Sequence, residues 1–256
     1  MTGDEHLDLT ERLRRQVTRL ERVLAADARL PVEFEETHLP AWLRPTEGEQ
    51  RLTVSLAVLA AIALQVVLPS EFALRPHLLL PALEVALLIG LFAANPVRIT
   101  RESRLLRSTS LSMIAVISLG NAISAVLLVR HLVDGSAGNS AGTLLATGAT
   151  IWGTNVITFA LWYWELDRGG PAARAKGGNP YPDFLFTQMT APELSPPNWE
   201  PAFLDYLYLS FTNATAFSPT DVMPLRRWAK MLMLCQSAVS IVAVALVISR
   251  AVNIFK

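Results

Sequence analysis

Near the C-terminus the stretch "FTNATAFSPTDVMP", residues 211–224, concentrates oxygen-bearing side chains: Thr212, Asn213, Thr215, Ser218, Thr220 and Asp221. It holds no thiol, no histidine and no second carboxylate, so its chemistry is that of ligands and not of a nucleophile with its base. Hydroxyls and a carboxylate gathered around a constriction favour cations over anions. These six residues are the candidate pore or filter-like positions.

A second set sits inside long apolar runs, where a polar group is expensive and calls for an explanation. Glu84 falls near the middle of the second run. It reads either as a neutral or hydrogen-bonded carboxyl facing other helices, or as a proton or ion site. Asn121, Asn155 and Gln236 read as interhelical hydrogen-bonding groups. Thr147, Ile151, Thr154 and Thr158 recur at helical spacing, with Thr150 beside them, and make one small, hydroxylated face. Such a face either packs closely, its hydroxyls returned to backbone carbonyls, or lines a wet path.

No constellation for catalysis appears. His6, His38, His77 and His131 are not paired at metal-ligand spacing, and there is no phosphate-cradling glycine loop or nucleophile elbow. No enzyme activity, metal or cofactor is expected. "ELDRGG", with Glu165, Asp167 and Arg168, reads as the end of an apolar run or as an interfacial ion cluster.

The elements that must position these groups are membrane helices. The chain has 256 residues, zero formal charge and 52% hydrophobic residues. The apolar residues gather in five runs, at 53–69, 77–94, 110–130, 143–164 and 228–250, each of about the 17–25 residues that cross a bilayer. The expected fold class is an all-α integral membrane protein with five transmembrane helices, a re-entrant half-helix before the last, and an amphipathic N-terminal helix. The half-helix "FLDYLYLSFT", 203–212, is about 15 Å long at 1.5 Å per residue and cannot span. Irregular backbone after it must be covered by protein or water.

Residues 5–28 place Leu13, Val17, Leu20 and Leu24 on one stripe, with charges elsewhere. This helix lies on the membrane domain or contributes to a short coiled coil. The expected organisation is a cytoplasmic helix and acidic linker over 1–50, a four-helix domain over 51–165, and a loop, half-helix and final span over 166–256. The Pro-rich stretch from 165 to 202 reads as loop. No apolar leader precedes the first run, which doubles as the insertion signal. The lone Cys235 reads as a buried packing residue.

Twelve basic residues would lie on one side of the membrane, the cluster Arg98, Arg101, Arg104 and Arg107 foremost, and four on the other. That places the N-terminus in the cytoplasm and, after five spans, the C-terminus outside. The preponderance of Arg over Lys points to a high-GC bacterium, hence a bacterial plasma membrane. The expected partners are the lipid bilayer, further copies of the chain in a homo-oligomer and inorganic ions, with no nucleic acid.

The stretch "LYLSFTNATAFSPTDVMPLRRWAKMLMLCQSAVSIVAVALVISR" resembles, in degenerate form, the pore helix, filter and inner helix of the tetrameric potassium-channel superfamily. Asp221, Pro224 and Arg226 or Arg227 stand where that family has an Asp after the filter, a Pro and a basic residue opening the inner helix. The filter run itself is absent: "TAFSPTD" has no glycine to turn carbonyls toward an ion. The whole chain also resembles a family of uncharacterised bacterial five-span membrane proteins, which brings no activity with it. The resemblance implies an oligomeric cation pathway of weak or non-potassium selectivity. Two other readings stand beside it: a proton-coupled transporter using Glu84, and a non-conducting membrane scaffold.

Overall fold

Apolar runs become helices because backbone that leaves water must bond to itself. The computed structural model describes residues 40–99, 103–135, 140–216 and 221–254. The expected amphipathic helix, and Ser218 and Thr220, lie outside the described residues. Helices α1 (Arg51–Val67) and α2 (Leu79–Ala94) are followed by α3 (Arg104–Val133) and α4 (Ala141–Leu166). Ser103 and Ser140 cap α3 and α4, their hydroxyls accepting from Leu106 N at 3.1 Å and Thr143 N at 3.3 Å.

Three helical stretches, Arg104–Val133, Ala141–Gly169 and Arg227–Asn253, are long and apolar enough to cross a membrane. α1 and α2 are apolar but shorter, with 17 and 16 residues. Large apolar side chains point outward from the bundle, among them Leu56 and Leu59 on α1 and Ile89 and Phe92 on α2. A protein with a bilayer around it solvates such residues with acyl chains.

After α4 come α5 (Pro171–Ala175), β1 (Phe184–Phe186), α6 (Thr187–Thr190), α7 (Phe203–Ala216), β2 (Val222–Pro224) and α8 (Arg227–Ile254). The stretch read as loop is therefore structured, and the fold is not purely helical. β1 and β2 pair antiparallel, Phe184 opposite Pro224 and Phe186 opposite Val222. The strand period explains the pairing: Phe184, Phe186 and Val222 are buried, while Met223 on the alternate face is exposed.

α4 is the hub, touching α1, α3, α7 and α8. Its Thr147, Ile151, Thr154 and Thr158 are all buried. Thr154 and Thr158 return their hydroxyls to Thr150 O at 2.9 Å and Thr154 O at 2.7 Å. The hydroxylated face is a packing face. At one end of the bundle Arg51 Nη1 donates to Leu91 O at 2.7 Å, tying the start of α1 to the last turn of α2. At the other, Phe72 meets His131 edge-on at 5.3 Å.

One expectation is corrected. Cys235 is exposed, not buried, because α8 turns only one side to the bundle: 28% of its most apolar window is buried. Glu84 lies within one turn of the middle of α2, which runs from Leu79 to Ala94.

Candidate functional site

α7 starts where two carboxylates meet its free backbone donors. Asp205 Oδ2 accepts from Ala202 N at 2.8 Å, and Glu49, from the segment before α1, accepts from Phe203 N. Negative charge at a helix N-terminus also complements the helix dipole. No glycine or proline interrupts the 14 residues. Phe203, Tyr206, Leu209, Ser210 and Asn213 form a buried stripe against α4 and α8. Leu204, Tyr208, Phe211 and Thr215 form the opposite, exposed one.

Because α7 runs to Ala216, Asn213 and Thr215 are helical like Thr212, so of the hydroxyl-rich stretch these three lie on the half-helix and not in the turn after it. The Thr212 and Thr215 hydroxyls bond back to Tyr208 O at 3.0 Å and Phe211 O at 2.7 Å. Asn213 points inward, its Nδ2 donating to Met233 O at 3.0 Å and to Gln236 Oε1 at 2.8 Å. Asp221 is exposed at the start of the segment leading into β2.

Gln236 binds the interior together. Its Oε1 also accepts from Tyr163 Oη at 2.6 Å, and its Nε2 donates to Ser210 O at 3.0 Å and Ser210 Oγ at 2.6 Å. One turn further along α8, Ser240 Oγ accepts from Asn155 Nδ2 at 3.0 Å, and Asn155 Oδ1 accepts from Asn121 Nδ2 at 3.5 Å. Two of the sequence candidates, Asn213 and Gln236, thus meet directly, and Asn121 and Asn155 form a neighbouring contact. Thr154 bonds only its own helix. Glu84 is fully buried and separate from this group. Gln65 Nε2 donates to both its oxygens, at 3.1 and 3.0 Å.

A third cluster sits at the start of α7. Asp167 Oδ2 accepts from Tyr206 Oη at 2.6 Å and its Oδ1 from Asp183 N at 2.9 Å. Arg168, at φ 52° where side chains are rarely found, is held by Asp183 Oδ2 on its own N–H at 2.7 Å and by its guanidinium on Asn179 O and Trp42 O, both at 2.7 Å. Arg174 donates to Trp164 O at 2.6 Å and lies 5.1 Å over the Tyr206 ring. Glu49 accepts from Trp164 Nε1 at 2.6 Å, and burial pushes its carboxyl above the ordinary 4.5. These groups lock the α7 start to the α4 end.

The chain matches no protein-family model, no curated protein and no solved structure. Sequence reasoning overlooked Gln65, Tyr163, Ser210 and Ser240, and undervalued "ELDRGG". Gln65 was a visible signal, a lone amide near the end of an apolar run. Ser210 was not, since serine in a helix ordinarily bonds its own backbone; here its hydroxyl crosses to Val156 O at 2.6 Å.

Proposed function

We propose that the protein is a subunit of an oligomeric, weakly selective cation pathway, with α7 as a re-entrant half-helix and the turn after it lining a constriction between copies. One observation carries this reading: α7 is buried and fully bonded on one side, yet shows a continuous exposed stripe on the other. A half-helix docked onto its own subunit and presenting Tyr208, Phe211 and Thr215 sideways is suited to meet a neighbouring copy.

The course of the chain supports re-entry. Phe203 packs edge-on to Trp164 at 6.0 Å and Phe211 to Trp152 at 5.6 Å. Those tryptophans are twelve residues apart on α4, about 18 Å along its axis. After Ala216 the chain leads to β2, which pairs with β1 beside Asp183, a partner of Arg168 near the α4 end where α7 began. The order of half-helix, turn and long helix supports the likeness to a degenerate pore module.

In this proposal α1 and α2 complete five spans, α1 with 17 residues at the short end of the spanning range and α2 with 16 just below it. The N-terminus is cytoplasmic in a bacterial plasma membrane. Cysteines placed at Tyr181 and Asp134, in a Cys235→Ala background, should then react from opposite sides, with Tyr181 cytoplasmic. Labelling of both from one side would contradict the topology.

The oligomer is tested by Thr215→Cys in the same background. Oxidation in native membranes should give cross-linked copies of the chain, whereas Leu56→Cys on α1 should not cross-link. Equal cross-linking at both positions, or none at Thr215→Cys, would contradict a pathway built around α7. A non-conducting scaffold is the second reading. Its support is that Asn213 and Gln236 are satisfied within one chain.

A further inference from the structure

We propose that a half-open cavity of about 50 Å3 at the Arg51 end of the bundle binds the phosphodiester headgroup of a membrane phospholipid. The cavity lies between the last turn of α2, the first turns of α3, the end of α4 and the glycine turn that follows it. Arg51, Arg107, Asn95, Ser103, Ser110 and Glu165 supply its polar lining. Arg51 spends only Nη1 on Leu91 O and Asn95 O, at 2.7 and 3.4 Å. A guanidinium has five N–H donors, so others remain for a ligand.

The opposite wall is kept bare by two glycines at positive φ, Gly169 at 91° and Gly170 at 98°. A Cβ on Gly169 would stand 3.7 Å from Arg107 Nη1, and one on Gly170 would meet Glu165 O at 3.0 Å. Glu165 is held by Ser110 Oγ at 2.8 Å and is shared among the guanidiniums of Arg174, Arg107 and Arg51. It does not cancel both cavity guanidiniums, Arg51 and Arg107, which leaves the lining cationic and suited to an anionic phosphodiester. Arg–phosphate hydrogen bonds are charge-assisted and geometrically specific.

The remaining lining decides between a lipid and a free phosphate. Leu91, Ile99 and Leu106, with the Trp164 ring, give the cavity an apolar side that inorganic phosphate would not use. A glycerol backbone and the first methylenes of an acyl chain would. Basic pockets between helices at a membrane surface recognise lipid headgroups on this physical basis. The site does not depend on whether the protein conducts ions.

Native mass spectrometry of the detergent-solubilised protein, with added phosphatidylglycerol, tests the assignment. Wild type should hold one lipid per chain. Arg107→Gln should weaken its retention by about tenfold or more, the value of one charged hydrogen bond, and Arg107→Lys should restore part of it. Arg104→Gln, an exposed arginine on the same turn of α3, should leave retention unchanged. Millimolar inorganic phosphate should not displace the lipid. An unchanged thermal midpoint of Arg107→Gln without lipid establishes that the variant is folded. Three results would overturn the proposal: no lipid held by wild type, equal loss in Arg104→Gln and Arg107→Gln, or displacement by inorganic phosphate.

Discussion

Asn213 donates to the side-chain oxygen of Gln236 at 2.8 Å, so two buried amides join a helix of 14 residues to one of 28. Around that bond Gln236 also engages Tyr163 and Ser210, and every polar atom of its amide is used. In a low-dielectric interior a partly broken network of this kind costs more than it does in water.

Gln236→Leu leaves Tyr163 Oη without its acceptor and removes one of the two from Asn213. We predict destabilisation of about 1–3 kcal/mol for each buried group orphaned, seen as a lowered thermal midpoint in detergent. Thr215→Val, which removes an exposed hydroxyl bonded only to its own helix, should change stability by less than about 0.5 kcal/mol. Equal shifts in the two variants would show that the interior network does not hold α7 in place.

The Glu49 carboxyl gives a pH test. Burial raises its pKa above 4.5, against the opposing hydrogen bonds from Trp164 and Phe203 and the charge of Arg174; Glu200 adds to the rise. Between 4.5 and the raised value the folded protein binds more protons than the unfolded chain. Stability therefore falls as pH rises through that window. Glu49→Gln cannot titrate, so wild type should lose stability relative to the variant as pH rises through that window. A difference independent of pH would show that Glu49 is not buried against α7.

α4 and α8 approach closely at Gly148. A Cβ there would stand 2.8 and 2.9 Å from the two methyl groups of Val247. Valine is stiff at its branched carbon and cannot swing away. Gly148→Ala should destabilise by about 1–3 kcal/mol through overpacking, and adding Val247→Ala should recover part of the loss. Additive losses in the double variant would mean that the two positions do not touch.

The sequence carried the long helices well, because their signal is the length and purity of apolar runs, and Arg104–Val133 or Arg227–Asn253 need nothing more. It also carried the existence of α7, from an apolar stretch too short to span. It left the end of that helix open between Thr212 and residue 217, and α7 closes at Ala216. Asn and Thr read as turn formers, yet Thr212 and Thr215 bond their own turn and Asn213 finds partners on α8. Nor did it carry β1 and β2: three-residue strands separated by 35 residues have no local signature beyond one alternation. The cluster at Asp167 was hidden for a related reason. Its partners Tyr206, Asp183, and Trp42 with Glu49 come from three separate segments, and only the folded chain brings them together.

The most direct measurement of the central claim is cation flux into liposomes containing the purified protein. Wild type should conduct sodium and potassium with little discrimination. Asp221→Asn should lower that flux or alter the preference between cations and anions, and Ser218→Trp should block it. No flux in wild type, or a flux unaffected by Asp221→Asn and Ser218→Trp in protein shown to be folded, would contradict the cation pathway.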